Sequence, residues 1–485
     1  MRLTDEQKSI VNYKGKFLVV IAYAGCGKTS TLVKFVERRE NETFLYIVFN
    51  KLMQREAQEK FKKFKNITIK TAHSIAWNHV NRELNLSKRL KEKSLNGYQA
   101  YQVAELIRTD EQIAKVIIDK FNEFLHSDLE LKEFVELELN RANKSKKDKM
   151  IEYFLKEYSL EDIYKESLKN INNFSISHDF YLKFFQLKRK KLRYDYILYD
   201  EAQDVSSTMA KIVIDQSAKK VFVGDDYQSI YSFRGAKNIR DILDSMSIEY
   251  DLLHLTNTFR FKRDTLSERL ANRLLRALRA EKPLIARGEK TAHTTDKKTI
   301  ICRTNGKVIE VATDLIEQNR AIYTDISKDS IQKIIDIANI CFNEDCSQEI
   351  RTKELKVFNN GEDLKQYAKD TRDQNLLSMI NIVNRNGADI YEKINLIRFN
   401  ETKKDDAEIS IITAHKSKGQ EYQNVLIEKD FKLYEEIKGA NGELEMKIPI
   451  EEELKLLYVT ITRATENLEI NSDVAMQINE LNMWC

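Results

Sequence analysis

Short, nearly unbroken apolar runs recur along the chain: Phe17 to Ala22, Phe44 to Phe49, Ile67 to Thr71, then Tyr196 to Tyr199 and Lys220 to Val223. Runs of this length, rich in β-formers and separated by stretches with helical spacing, predict the buried strands of a parallel α/β sheet. The last two are each followed by acidic residues, at the strand end where ligands bind in open α/β sheets. All five are assigned to a first domain, residues 1–84 and 191–250. Residues 85–190, rich in Lys, Glu, Leu and Tyr at helical spacing, predict a helical insertion into it. A second α/β pattern begins near Leu252, includes Thr299 to Arg303, and returns at Ile409 to Thr413 and Val425 to Ile427. It predicts a second sheet domain, 251–326 and 401–485, interrupted by a shorter helical insertion at 327–400.

Composition narrows the class. A chain of 485 residues has room for two to four domains. No apolar run is long enough to span a bilayer, and the start Met1-Arg2-Leu3-Thr4 lacks a secretory layout, so a cytoplasmic protein with no membrane partner is expected. The Lys- and Asn-rich, Pro-poor composition points to a bacterial or phage source. Cys26, Cys302, Cys341, Cys346 and Cys485 are odd in number and scattered, which describes reduced thiols rather than a disulfide framework. Net charge is only +4, from 80 Lys and Arg against 76 Asp and Glu, so any nucleic-acid groove must be local. Basic runs at 144–149 and 188–193 are either phosphate contacts or solvated helix faces.

Ala24-Gly25-Cys26-Gly27-Lys28-Thr29 follows a strand and opens a helix, the setting a phosphate-cradling loop requires. Its glycines let backbone N–H groups close around a β-phosphate, Lys28 supplies charge to the β- and γ-phosphates, and the Thr29 hydroxyl is a ligand for Mg²⁺. Cys26 invites a redox reading, but the position tolerates many residues. Asp200-Glu201-Ala202-Gln203-Asp204 ends a strand, which puts Asp200 beside the metal and Glu201 in place as general base. The alternative for this cluster is a helix N-terminus with acids against its dipole.

These two elements, with Gly224-Asp-Asp-Tyr-Gln-Ser-Ile-Tyr-Ser-Phe-Arg-Gly-Ala236, Leu255-Thr-Asn-Thr-Phe-Arg260, Thr413-Ala-His-Lys-Ser-Lys-Gly-Gln-Glu421 and Tyr458-Val-Thr-Ile-Thr-Arg-Ala464, resemble UvrD/Rep-type superfamily 1 helicases, in family order. Leu45 to Lys51 and Lys70 to Ser74 resemble the F-box DNA helicase branch most, without its F-box region. The resemblance implies two RecA-like domains that turn over ATP with Mg²⁺. It also implies three-prime to five-prime movement on single-stranded DNA and at single/double-strand junctions.

By the same resemblance, Gln7 reads the adenine edge, Phe259 stacks on the base and Glu421 holds the ribose. Gln228 senses the γ-phosphate, and Arg260 and Arg463 act as arginine fingers. Tyr231 and Phe233 form a stacking platform, with Phe49, Asn50, Thr71, His73, Arg234 and His415 along the strand. Ser30 stands in the nucleotide loop where several members carry an Arg that packs on adenine, which shifts weight to Gln7 and Phe259. His73 and His415 each stand alone in polar motifs, and Cys341 and Cys346 have no matching second pair, so no zinc site is expected. A rival reading is a nucleic-acid-activated ATPase that licenses a nuclease or a repair or defence partner.

Overall fold

The computed structural model describes residues 3–142, 149–169, 174–230, 237–289, 295–342, 350–370, 374–438 and 444–484. Fifteen strands occur among them: β1 (Phe17–Ala22), β2 (Phe44–Val48), β3 (Ile67–Thr71), β4 (Tyr196–Asp200), β5 (Lys219–Gly224), β6 (Asp251–Leu255), β7 (Asn257–Thr258), β8 (Ile285–Ala286), β9 (Lys298–Cys302), β10 (Ile322–Thr324), β11 (Ile409–Thr413), β12 (Tyr422–Ile427), β13 (Tyr434–Lys438), β14 (Leu444–Pro449) and β15 (Ala464–Ile470). By its internal contacts the chain divides into two units, 1–23 with 27–255 and 24–26 with 256–485.

The first unit holds a six-stranded sheet in the order β3-β2-β4-β5-β1-β6. All of its pairings are parallel. Its inner strands are mostly apolar, as cover on both faces requires, with charge confined to the ends at Asp200, Lys219 and Lys220; β2 and β4 are buried at every position. Leu252 does not start the second domain as the sequence pattern suggests. Residues 251–255 pair with β1, Leu18 opposite Asp251 and Ala22 opposite Leu255, and so complete the first sheet as its edge.

Between β3 and β4 the chain is helical, from Ala72–Leu84 to His178–Leu187. These helices share one hydrophobic core with the sheet, in which Phe121, Phe124, Phe180 and Ile75 are continuous with Val19 and Phe222. Two cations lie inside this region. Lys183 is fully buried and donates to the carbonyls of Ser127 and Leu129 at 2.9 and 2.6 Å and to Gln186 Oε1 at 2.8 Å. Arg89 donates to the carbonyls of Leu84, Phe174 and Ser167 at 3.2, 2.9 and 3.0 Å.

The second unit holds a five-stranded parallel sheet, order β10-β11-β9-β12-β15. Among the described residues, 328–400 supply four α-helices on a core of Ile334, Ile337, Ile380 and Ile394 with Ile411. β13 and β14 form an antiparallel hairpin that the apolar runs do not announce. No helix among the described residues is long and apolar enough to cross a membrane.

Candidate functional site

The strand order brings the C-terminal ends of β1, β5 and β4 side by side. The glycine loop comes directly after β1. Gly25 and Gly27 have φ of +69° and +77°, left-handed values that cost most side chains energy, and Gly27 begins the helix Lys28–Glu37 with no side-chain cap. That helix has no acid in its first turn, so its leading N–H groups and positive end are left for an anion.

Lys28 Nζ lies 3.2 Å from Glu201 Oε1. Glu201 sits in a turn with φ 56°, an uncommon conformation for a residue with a side chain, immediately after β4. Its other oxygen accepts from Gln203 Nε2 at 2.5 Å. Gln203 Oε1 in turn accepts the Asp225 amide at 3.0 Å, and Asp225 Oδ2 accepts Gln228 Nε2 at 2.6 Å. A line of contacts therefore runs Lys28, Glu201, Gln203, Asp225, Gln228. Gly224 permits it: a Cβ there would stand 2.5 Å from Gln203 Oε1 and 2.9 Å from the Gln203 amide. Burial pushes the Asp225 carboxyl up to about 6, against the opposing pull of Lys28 and the Gln228 hydrogen bond.

A second knot ties the loop to β4 through β2. The buried Tyr46 hydroxyl donates to Asp200 Oδ2 at 2.5 Å and also hydrogen-bonds the Thr29 side chain. The two oxygen ligands expected for Mg²⁺ thus converge on one phenol, a donor set that suits a hard cation. Burial raises the Asp200 carboxyl, Glu201 adds to the rise, and Lys28 opposes it. Tyr46, Gln203 and Asp225 were not singled out from the sequence, although all three fall within the quoted motifs.

Gln7 is 1% exposed. Its Oε1 accepts the Thr4 amide at 3.0 Å in a capping box, while its Nε2 is buried with no partner among the described residues. A buried amide donor left open is what a nucleotide base would satisfy. Ala24 and Cys26 are buried and Ser30 is exposed.

Phe49, Asn50, Thr71 and His73 come together at the ends of the neighbouring strands β2 and β3, where Val48 is the register partner of Thr71. Phe49 is 45% exposed. Asn50 and Thr71 use their side chains to cap the helices Lys51–Phe61 and Ala72–Leu84. His73 Nε2 meets Asp179 Oδ1 at 3.2 Å, and His126 Nε2 meets Asp179 Oδ2 at 3.2 Å. Against burial, which raises it, these two hydrogen bonds hold the Asp179 carboxyl well below the usual range. Tyr231, Phe233 and Arg234 lie outside the described residues.

In the second unit Arg260 grips Glu421 Oε1 through Nε at 2.9 Å and Nη2 at 2.5 Å, and donates to the Thr462 carbonyl at 2.8 Å. Arg463 is 1% exposed and donates to the Val459 and Gln420 carbonyls at 2.8 and 3.2 Å and to the Thr462 hydroxyl at 3.0 Å. Phe259 and His415 are half-buried.

Comparison with known proteins places the chain among its relatives. Residues 3–247 match the UvrD/REP helicase N-terminal domain. The chain is 30% identical to F-box DNA helicase 1 of Gallus gallus, over 96% of this chain and 49% of that protein. It is 27% identical to F-box DNA helicase protein 1 of Schizosaccharomyces pombe, over 97% and 58%. It is 24% identical to the ATP-dependent DNA helicase Rep of Buchnera aphidicola, over 49% and 39%. The chain spans about half the length of the F-box relatives it matches.

Proposed function

The chain belongs to the UvrD/Rep helicase family, and we propose that it is an ATP-driven motor that tracks single-stranded DNA in the three-prime to five-prime direction, opening duplexes or stripping bound proteins. The observation that carries the reading is the contact line from Lys28 through Glu201, Gln203 and Asp225 to Gln228. On nucleotide binding, Lys28 exchanges the Glu201 carboxylate for the β- and γ-phosphates. Glu201, still held by Gln203, orients and deprotonates the water that attacks the γ-phosphorus as the bond to the bridging oxygen breaks. Gln228 senses the γ-phosphate and, through Asp225 and Gln203, its state reaches the base. Mg²⁺ would be held by Thr29 and Asp200 and would neutralise charge on the phosphates.

Gln7 Nε2 and Phe259 serve the adenine and Glu421 the ribose, while Arg260 and Arg463 stabilise transition-state charge, as the resemblance implies. Phe49, Tyr231 and Phe233 stack on bases, at roughly 1–3 kcal/mol each, with Asn50, Thr71, His73, Arg234 and His415 along the strand. Stacking of this kind is sequence-tolerant, which suits a motor. The direction of travel rests on the family alone.

The test is ATP hydrolysis with and without oligo-dT, comparing the wild type with Lys28→Ala and Phe233→Ala. Strong stimulation, abolished by the first substitution and weakened by the second, is expected. Absence of stimulation in folded protein sinks the autonomous motor, and turnover without strand displacement or translocation favours a switch that licenses a partner.

A further inference from the structure

The basic run at 188–193 is partly tied down: Lys188 meets Glu83 at 2.8 Å, Arg189 meets Glu130 at 3.2 Å, and Lys191 donates to the Asp215 carbonyl at 2.8 Å. A second stretch keeps an excess of cations, although Lys262 meets Glu466 at 2.7 Å and Arg273 donates to the Asn479 side chain. Residues 262–282 hold seven Lys and Arg against three Asp and Glu, a net +4 that equals the formal charge of the whole chain. They are built around the helix Leu266–Ala277, which buries Leu270, Ala271, Leu274 and Leu275. Arg269, Arg273 and Arg276 follow one another at spacings of four and three and so share one helix face, spanning about 10 Å along its axis.

Arg263, Arg269, Arg276 and Arg279 are exposed, and their side chains have no ion-pair or hydrogen-bond partner among the described residues. Of the acids in this stretch, Glu268 is engaged by the main chain: its oxygens accept the Asp264 and Ala286 amides at 2.7 and 2.8 Å. A cleft of about 630 Å³ lies along this face, lined by five cations, Arg263, Arg269, Arg273, Arg276 and Lys282, against three acids, Asp264, Glu268 and Glu281.

Like charges this close repel, so a spaced polyanion fits them better than bulk water does. Single strands are gripped by aromatic side chains on which bases stack, and residues 262–282 contain no Phe, Tyr or Trp. What remains is backbone contact without base contact, which a duplex offers at fixed phosphate spacing. We propose that the arginine face of the helix Leu266–Ala277, together with Arg279 just beyond its end, binds the phosphate backbone of duplex DNA, outside the motifs assigned to the single strand. The choice of DNA as occupant rests on the motor reading.

The experiment measures binding without nucleotide, as the slope of log affinity against log salt, for a blunt duplex and for oligo-dT. It compares the wild type with Arg269→Gln/Arg276→Gln/Arg279→Gln and with the same positions changed to Lys. Each lost phosphate contact removes about 0.9 from the duplex slope. The Gln triple is therefore expected to be shallower by about 2 to 3 on duplex and unchanged on oligo-dT, with the Lys triple near wild type. Equal loss on both ligands, no loss on either, or loss of poly-glutamate binding with duplex binding intact overturns the proposal. Because no turnover is measured, failure of DNA-stimulated hydrolysis would strike the motor reading and leave this result standing.

Discussion

Lys28 and Lys183 are both amino groups withdrawn from water in the same unit, and they are held by opposite kinds of partner. Lys183 meets main-chain carbonyls of Ser127 and Leu129 and the Gln186 amide oxygen, with the Phe124 ring centroid 4.7 Å away. Those acceptors are neutral and belong to the fold itself, so nothing a ligand does displaces them. Lys28 instead meets the carboxylate of Glu201, on a turn with left-handed φ. A doubly charged phosphate competes with a carboxylate for the amine, and the carboxylate it displaces becomes available for proton transfer. The difference separates an amino group that fixes a fold from one that waits for a substrate.

The sharpest way to break the contrast is to remove each amine in turn. Lys28→Met is expected to lower kcat on the order of 10²–10³-fold or more while leaving unfolding free energy within about 1 kcal/mol, read by steady-state hydrolysis and urea melts. Lys183→Met should do the reverse. Buried acceptors lose their donor, so about 2 kcal/mol of stability goes, with turnover per folded molecule changed only a few-fold. If both variants lose activity and stability alike, the distinction fails.

A smaller effect concerns pH. Burial lowers the Lys183 amine from 10.5 to about 7. Between those values the unfolded chain keeps a proton the folded one has shed, so the Lys183 contribution to stability rises with pH through that window and levels off above it. The expected slope is at most about 1.4 kcal/mol per pH unit, measured as the wild-type melt minus that of Lys183→Met. A flat difference would show that the amine titrates normally.

Smallest of all is the effect of Tyr46→Phe. Removing the hydroxyl that joins Thr29 to Asp200 should raise the Mg²⁺ half-saturation of nucleotide binding by several-fold, about 1 kcal/mol, with metal-free nucleotide affinity unchanged. An equal loss with and without Mg²⁺ would assign Tyr46 to packing alone.

Much of this was legible in the sequence, and the exceptions have physical causes. Buried parallel strands announce themselves because both faces are covered, which is why β1, β2 and β4 stand out as apolar runs. β6 is an edge strand whose side chains mix Asp251 and His254 with leucines, so it resembles the start of a new pattern; only its pairing with β1 assigns it. The hairpin of β13 and β14 was readable from the period-two sequence Leu444, Met446, Ile448 after Gly439-Ala440-Asn441-Gly442, but its apolar positions Ile437, Met446 and Ile448 are exposed rather than buried. Lys183 lies in a helix where a lysine is ordinarily a surface residue, and nothing local marks it as interior. Tyr46 hides within an apolar strand, because a phenol there reads as hydrophobic area until its hydroxyl is seen between Thr29 and Asp200.

The start of the N-terminal helix bears on selectivity. Since the Thr4 amide can only donate, the oxygen of the Gln7 side chain must face it, and the fold thereby decides which end of the amide looks outward. The outward end is a donor. A ligand edge offering only hydrogens there would meet repulsion, whatever the shape of the cavity around it. In the proposed base contact, then, discrimination is written by how a helix begins rather than by the walls of a pocket, and Thr4→Pro, which removes that N–H, frees the amide to turn and rewrites it.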